Sequence, residues 1–403
     1  MSDENRRCRR CNRIHVVVFG VPNPAVAIRF CGLRYLNTCV ETIGNRISGT
    51  DDGKIKNRKR NAHSLSLGRL RRVGSGAPAS DGQQWDMPAV PIVDISNPSA
   101  TAREDLDAAC RDHGFFLLVG HGLDSVIANT WSETERFFDA PRSTRTAIRR
   151  TEQNPLGWFD RELTKRVRDH KEVFDFVDPS VGEAMNRWPE LPGFRDAMVQ
   201  HFEAMSDLAH RTTVLLHSIL NLGPSSSSAL TCARQGSTVR LNLYTVGDPV
   251  PDDERDGLAD LGDVALGHHT DPGTLTLLLQ DDTGGLQALA SDGNWIDVPP
   301  EPGTIVVNLG DCTQAWTNDL YRAAIHRVVP MTEHRRFSIP YFGNPPRESI
   351  IEPVPELSTS GPRYRPFAWR EFMAARSYDN FSDLGTEDTQ VSDYRIEGSE
   401  RIS

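Results

Sequence analysis

Long apolar runs are missing from this 403-residue chain: no stretch reaches the roughly 18 uninterrupted apolar residues that a membrane-crossing helix needs, so a membrane is not an expected partner. A disulfide framework is missing too. Cys110, Cys232 and Cys312 are scattered singly through the chain, the usage of a reducing compartment, and a cytoplasmic location is expected. The other four cysteines are Cys8, Cys11, Cys31 and Cys39. Cys8-Arg9-Arg10-Cys11 has C-x-x-C spacing, but no second such pair or histidine pair follows at zinc-finger distance, so no structural zinc is predicted. No internal repeat stands out. Positive charge is scarce beyond the beginning: the first 90 residues hold 16 Lys and Arg against 7 Asp and Glu, an excess of +9, and with −10 overall, −19 falls on the rest. Such an acidic body is a poor partner for nucleic acid and turns the expectation toward a small-molecule substrate.

Residues 1–88 show no sustained periodicity and include the run Lys54-Ile55-Lys56-Asn57-Arg58-Lys59-Arg60, which predicts a basic, disordered leader. Organellar targeting is an alternative, weakened by Asp3, Glu4 and Asp51-Asp52. Met87 stands where the chain changes character, and the leader reads as dispensable.

Beyond it the punctuation is regular. Ser99 or Thr101 caps a helix over 100–111, a strand covers Phe115–Val119, and a second helix runs from Asp124 to Phe138, ahead of Pro141. Phe194, Met198, Met205, Leu208, Leu215, Leu216, Ile219 and Leu220 recur at helical spacing, predicting a long helix along one wall of a barrel. The segment Thr274–Leu279, the turn Gly284-Gly285, the proline turn 299–303 and the run Thr304–Leu309 give short strands between Gly and Pro turns. That is the pattern of an antiparallel double-sheet jelly roll. A short amphipathic helix is predicted from Phe367 to Arg376, with a polar, disordered tail past 380.

Chemistry concentrates at His269-Thr270-Asp271. On an extended strand, positions 269 and 271 share a face and offer one imidazole and one carboxylate to the same point, while His268 turns away as a hydrogen-bonded supporting residue. His326 completes the set. Two histidines and a carboxylate on one face are the ligand set of non-haem Fe(II) oxygenases, because the opposite face stays open for co-substrate and O2. Ten positions on, Arg336 can hold a carboxylate in a fork, with Ser338, two along, adding a hydroxyl from the same face. Arg161, Lys165, Lys171 and Glu172 are candidates for a substrate mouth, although a solvated helical face is the favoured reading for them.

These segments, together with Asn242-Leu243-Tyr244, Gly310-Asp311, Trp316-Thr317-Asn318, Ala324-Ile325-His326-Arg327-Val328 and Arg336-Phe337-Ser338-Ile339-Pro340-Tyr341-Phe342, appear in one order. In that order the chain resembles the iron- and 2-oxoglutarate-dependent dioxygenase superfamily, in the branch that includes isopenicillin N synthase, over residues 89–375. The resemblance implies an α+β fold with a double-stranded β-helix core. It divides the chain into the leader at 1–88, an N-terminal region at 89–235, a catalytic jelly roll at 236–345 and a C-terminal helix with polar tail at 346–403. It implies Fe(II) on His269, Asp271 and His326, and 2-oxoglutarate held at its distal carboxylate by Arg336 and Ser338, with Tyr244 and Asn242 contributing. Oxidation of a small organic molecule by O2, by default hydroxylation, would then give succinate and CO2. Two alternatives stay open: an isopenicillin N synthase-like oxidase without 2-oxoglutarate, and a non-catalytic ligand-binding module of the same fold.

Overall fold

The computed structural model describes residues 90–151, 153–164, 166–223, 226, 228–377 and 389–398. The leader, with its cysteine pair, basic run and Met87, lies outside the described residues, as does Lys165. The first elements are β1 (Ile92–Asp94), α1 (Ala100–Asp112) and β2 (Phe115–Val119). Ser99 starts α1, its hydroxyl accepting the Ala102 N–H at 3.0 Å. Gly114, at φ +71°, turns helix into strand, and a Cβ there would come within 2.4 Å of the Arg322 carbonyl oxygen, so no other residue fits. Then come α2 (Asp124–Asp139), α3 (Arg142–Thr146), β3 (Gly157–Phe159), the short pair β4 (Leu163–Thr164) and β5 (Val167–Arg168), β6 (Lys171–Val177), α4 (Pro179–Gly182) and the 26-residue α5 (Phe194–Ile219).

The second half supplies β7 (Thr238–Tyr244), β8 (Leu266–His269), β9 (Leu275–Gln280), β10 (Leu286–Leu289), β11 (Trp295–Asp297), β12 (Ile305–Leu309), α6 (Asp311–Trp316), β13 (His326–Val328) and β14 (Arg336–Gly343). After the pair β15 (Ile350–Ile351) and β16 (Phe367–Ala368), the helix α7 runs Trp369–Ser377. Two sheets result. The larger has the order β1-β2-β12-β9-β14-β7-β6-β3, the smaller β11-β10-β13-β8. Strands that precede residue 235 therefore enter the same sheet as the later ones.

Side-chain alternation explains why the strands of the larger sheet read as continuous apolar runs. Phe116 and Leu118 of β2, Leu275, Leu277 and Leu279 of β9, and Ile305, Val307 and Leu309 of β12 join the cluster that meets α5 and the other helices. Phe115, Leu117, Leu278 and Val306 point the other way, into a second cluster with Leu286, Ala288 and Val328 of the smaller sheet. Both faces of these strands are covered, so both must be apolar. As the helical spacing predicts, α5 lies on the outer face, where the ring of Phe202 meets Tyr341 of β14 edge-on at 5.5 Å.

One expectation about the tail fails. Residues 389–398 are folded: a 3-10 turn at Val391–Tyr394 sets the Tyr394 ring 4.4 Å from Phe367, and Ile396 N–H donates to the Arg363 carbonyl. The segment is polar in composition but carries two apolar anchors, Val391 and Tyr394, and the Arg395 guanidinium pairs with Asp319 beside them. Among the described residues no helix is long and apolar enough to cross a membrane.

His201 is fully buried on α5, and neither ring nitrogen has a hydrogen-bond partner. Burial pulls its pKa down to about 3, so the folded protein keeps it neutral while the unfolded chain takes up a proton near pH 6.5. Its contribution to stability is therefore complete above about pH 6.5 and falls by about 1.4 kcal/mol per pH unit down to about pH 3. His201→Leu is expected to raise the melting temperature and flatten that acid slope. Unfolding curves at several pH values check it, and an unchanged slope would contradict it.

Candidate active site

Two strand ends bring the candidate ligands together. His269 closes β8, His326 opens β13, and the two are direct partners in the antiparallel ladder, their rings 4.3 Å apart. Each ring is fixed from behind: Nδ1 of His269 lies 2.8 Å from the Gly267 carbonyl oxygen and Nδ1 of His326 lies 2.9 Å from that of Ala324. A proton on Nδ1 satisfies those carbonyls and leaves both Nε2 lone pairs facing the site, the arrangement that metal-bound histidines adopt.

Asp271 corrects the strand argument. The strand ends at His269, so Asp271 belongs to the following turn, and it is aimed by other groups. The Asp311 N–H donates to its carbonyl oxygen at 2.8 Å, the Thr276 hydroxyl donates to Oδ2, and so does the Asn308 amide at 2.8 Å. Oδ1 is left 3.7 Å from Nε2 of His269 and 4.0 Å from Nε2 of His326. The three ligand atoms lie within 4.8 Å of one another, and the only such group of three or more His, Cys, Asp and Glu among the described residues is this one. His268 is exposed, its ring edge-on to Trp295 at 6.4 Å, and it lines the same cavity as the three candidate ligands without belonging to their cluster.

The protonation states suit a divalent cation. Burial, followed by the neighbouring His326, pulls the pKa of His269 down to about 3. Burial pushes Asp271 upward, but the two imidazoles, Thr276 and Asn308 outweigh it and hold the carboxyl below its usual range. A neutral imidazole and an ionised carboxylate are what a metal binds without first displacing protons. Asp311, buried beside this loop, is pushed up to about 6 by burial, against the opposing pull of Arg376.

Arg336 lies in the same cavity, which has a volume of about 1320 Å³ and is also lined by His269, Asp271, His326, Asn242, Tyr244 and Ser338. On β14, Arg336 pairs with Tyr244 of β7 and Ser338 pairs with Asn242, which places all four on one inner face. Arg336 is 1% exposed, and its guanidinium stacks 4.9 Å over the Tyr244 ring and donates through Nε to the Gly284 carbonyl oxygen at 2.7 Å. It pairs with no carboxylate among the described residues, and its buried Nη1 has no hydrogen-bond partner. The Asn242 amide donates to the Ser338 hydroxyl at 3.2 Å, while its own oxygen is unpartnered. A buried arginine with an open donor fits a bound carboxylate, since an uncompensated buried charge is otherwise costly.

Neither reading of the segment around Lys171 was right in full, because it is strand. Glu172 points into the core, where it accepts from Trp158 Nε1 at 2.8 Å and Arg145 Nε at 2.9 Å. Lys171 and Asp175 face the cavity. Lys171 Nζ sits 3.0 Å from Glu162 and 3.1 Å from Asp169, and Arg240 of β7 reaches both Glu162 and Asp175 at 2.7 Å. Arg150 closes the network onto the same two carboxylates. Arg161 is bound outside it, to Asp160 and Glu254. Thr276 and Asn308 were not singled out from sequence, although each is a polar residue set between apolar neighbours in a buried strand.

Comparison with known proteins gives a consistent result. Residues 236–345 match the family model of the 2OG-Fe(II) oxygenase superfamily, and residues 90–191 match that of the non-haem dioxygenase in morphine synthesis N-terminal region. The chain is 31% identical over 297 residues to feruloyl CoA ortho-hydroxylase 1 of Arabidopsis thaliana, covering 71% of this chain and 78% of that one. It is 31% identical to gibberellin 2-beta-dioxygenase 4 of the same plant, covering 76% and 94%, and 29% identical to a homoarginine-6-hydroxylase of Oryza sativa subsp. japonica, covering 73% and 98%. The crystal structure of JOX2 in complex with 2OG, Fe and JA superposes with a TM-score of 0.64 at 25% identity, over 77% of this chain and 89% of that one.

Proposed function

Because the chain belongs to the 2OG-Fe(II) oxygenase superfamily and is a 2-oxoglutarate- and Fe(II)-dependent dioxygenase, we propose that His269, Asp271 and His326 hold its iron and that Arg336, Ser338, Tyr244 and Asn242 hold its 2-oxoglutarate. When bound, iron with 2-oxoglutarate and O2 supplies the oxidising chemistry that yields succinate and CO2 and hydroxylates the substrate. The residues do the rest. Gly267 and Ala324 carbonyls hold the imidazoles in one tautomer, Thr276 and Asn308 turn one carboxylate oxygen away so that the other faces the histidines, and the buried guanidinium sets the reach of the co-substrate. The observation that carries this reading is the unpartnered Nη1 of Arg336, buried in the cavity that the three ligands share.

The substrate we propose is a small molecule with polar or charged groups, because one wall of the cavity is built from Lys171, Glu162, Arg240, Asp175 and Arg150. The free cysteines among the described residues support a reducing, cytoplasmic setting. The test is a screen of polar metabolites with the Fe(II)-loaded protein, 2-oxoglutarate and O2. Succinate is expected in proportion to oxidised substrate, with slower release when substrate is omitted. Full-rate oxidation without 2-oxoglutarate would contradict the placement of the co-substrate.

A further inference from the structure

The ladder of β8 stops at His269, so no strand hydrogen bond fixes the Thr270 peptide that joins two of the three ligands. A side chain from the far end of the chain does so instead. Arg376, near the end of α7, donates from Nη2 to the Thr270 carbonyl oxygen at 2.7 Å and approaches its hydroxyl at 3.3 Å. The same nitrogen lies 3.8 Å from Oδ2 of the buried Asp311. Asp311 in turn donates its N–H to the Asp271 carbonyl at 2.8 Å, so one residue holds the loop by its backbone and stands within ion-pair distance of the arginine by its carboxylate. The Arg376 side chain is only 9% exposed and borders the cavity, beside Met373 of the same helix. Gly310 closes the arrangement: a Cβ there would lie 2.3 Å from the Gly273 carbonyl oxygen and 2.8 Å from that of Asp271, so the α6 end and the ligand loop are in direct backbone contact.

We propose that Arg376 is a positioning residue for the metal centre, and that docking of α7 through the Arg376–Asp311 pair is what holds His269 and Asp271 in coordinating geometry. This rests on the reading of His269, Asp271 and His326 as the iron ligands. A groups-behind-the-ligands role of this kind is worth about 10- to 100-fold in metal affinity. A lysine can return the charge, but its shorter side chain and unfixed ammonium do not reproduce the planar guanidinium that places Nη2 on Thr270. Arg370 is on the same helix but exposed, 3.5 Å from Glu348, and serves as the control.

The experiment titrates the full chain with Co(II) without oxygen, following affinity and the visible spectrum of the bound ion, and records melting of the metal-free protein alongside. Arg376→Ala is expected to weaken Co(II) binding about 10- to 100-fold and to alter its spectrum, Arg376→Lys to recover part of both, and Arg370→Ala to match the wild type. Should Arg376→Ala not fold, Arg376→Gln carries the same comparison, because it keeps one donor and loses the charge. An Arg376 variant that melts earlier yet binds Co(II) with wild-type affinity and spectrum would reduce the residue to a helix anchor and overturn the proposal. A wild-type chain that binds no Co(II) would overturn the ligand assignment itself, and the proposal with it.

Discussion

Replacing His269, Asp271 or His326 with alanine is expected to abolish turnover and to lower metal affinity by more than about 100-fold, beyond what loss of a supporting hydrogen bond costs. Each side chain offers one potential ligand atom, and the three atoms lie within 4.8 Å of one another, so on the proposed assignment a vacancy leaves two. The fold should survive in the histidine variants, because both rings sit at strand ends and neither is a member of the two apolar clusters, although His326 packs edge-on against Phe115 of the second. Asp271→Ala also strips the acceptor from Thr276 and Asn308, so Asp271→Asn separates loss of charge from loss of those hydrogen bonds. His268→Ala should be mild. Anaerobic Fe(II) titration with circular dichroism checks the set, and iron binding that survives His269→Ala but not His268→Ala would reassign the ligand.

Arg336→Ala is expected to weaken 2-oxoglutarate binding by roughly 30- to 5000-fold, the equivalent of about 2–5 kcal/mol for a charge-assisted contact in a buried setting. The size follows from the geometry. Arg336 is 1% exposed, its Nε is already committed to Gly284, and Nη1 has no protein partner, so a bound carboxylate would supply the missing acceptor. Lysine at 336 should restore only part, as a point charge cannot make a fork or stack on Tyr244 in the same way. Direct calorimetry of the iron-loaded protein separates binding from turnover. A variant that binds 2-oxoglutarate as tightly as the wild type would move the co-substrate elsewhere in the cavity.

That His269, Asp271, His326 and Arg336 come together in one cavity was legible because the signal is local: residue type at fixed spacing, embedded in strand-like runs. The long helix and the Ser99 cap were legible for the same reason. The route by which Asp271 reaches the site was not, since His-Thr-Asp continues a strand pattern and only the contacts from Asp311, Thr276 and Asn308 reveal that the strand has already ended. Lys171 and its neighbours misled in the opposite sense. A dense set of charges reads as solvated surface, because sequence shows the charge and not the partner, and here the partners Glu162, Asp169 and Arg240 come from other strands and turns. The folded segment at 389–398 was hidden by its polar composition, with Val391 and Tyr394 too few to register as a pattern.

Strand β6 pairs with β7 along its whole length, Lys171 opposite Tyr244 through Val177 opposite Thr238, and this seam joins the early part of the chain to the part that carries the ligands. The wall of charges is stitched across it, for Arg240 on one side is neutralised by Glu162 and Asp175 on the other. On the proposed reading, the wall that would meet the substrate draws on both parts of the chain, with Glu162, Lys171 and Asp175 from the early part and Arg240 from the strand that also carries Asn242 and Tyr244. A descendant that acquires a new substrate by altering Glu162 alone would strand Arg240, Lys171 and Arg150 with too few counter-charges, at a cost of several kcal/mol. Change at this wall is therefore constrained to move in pairs.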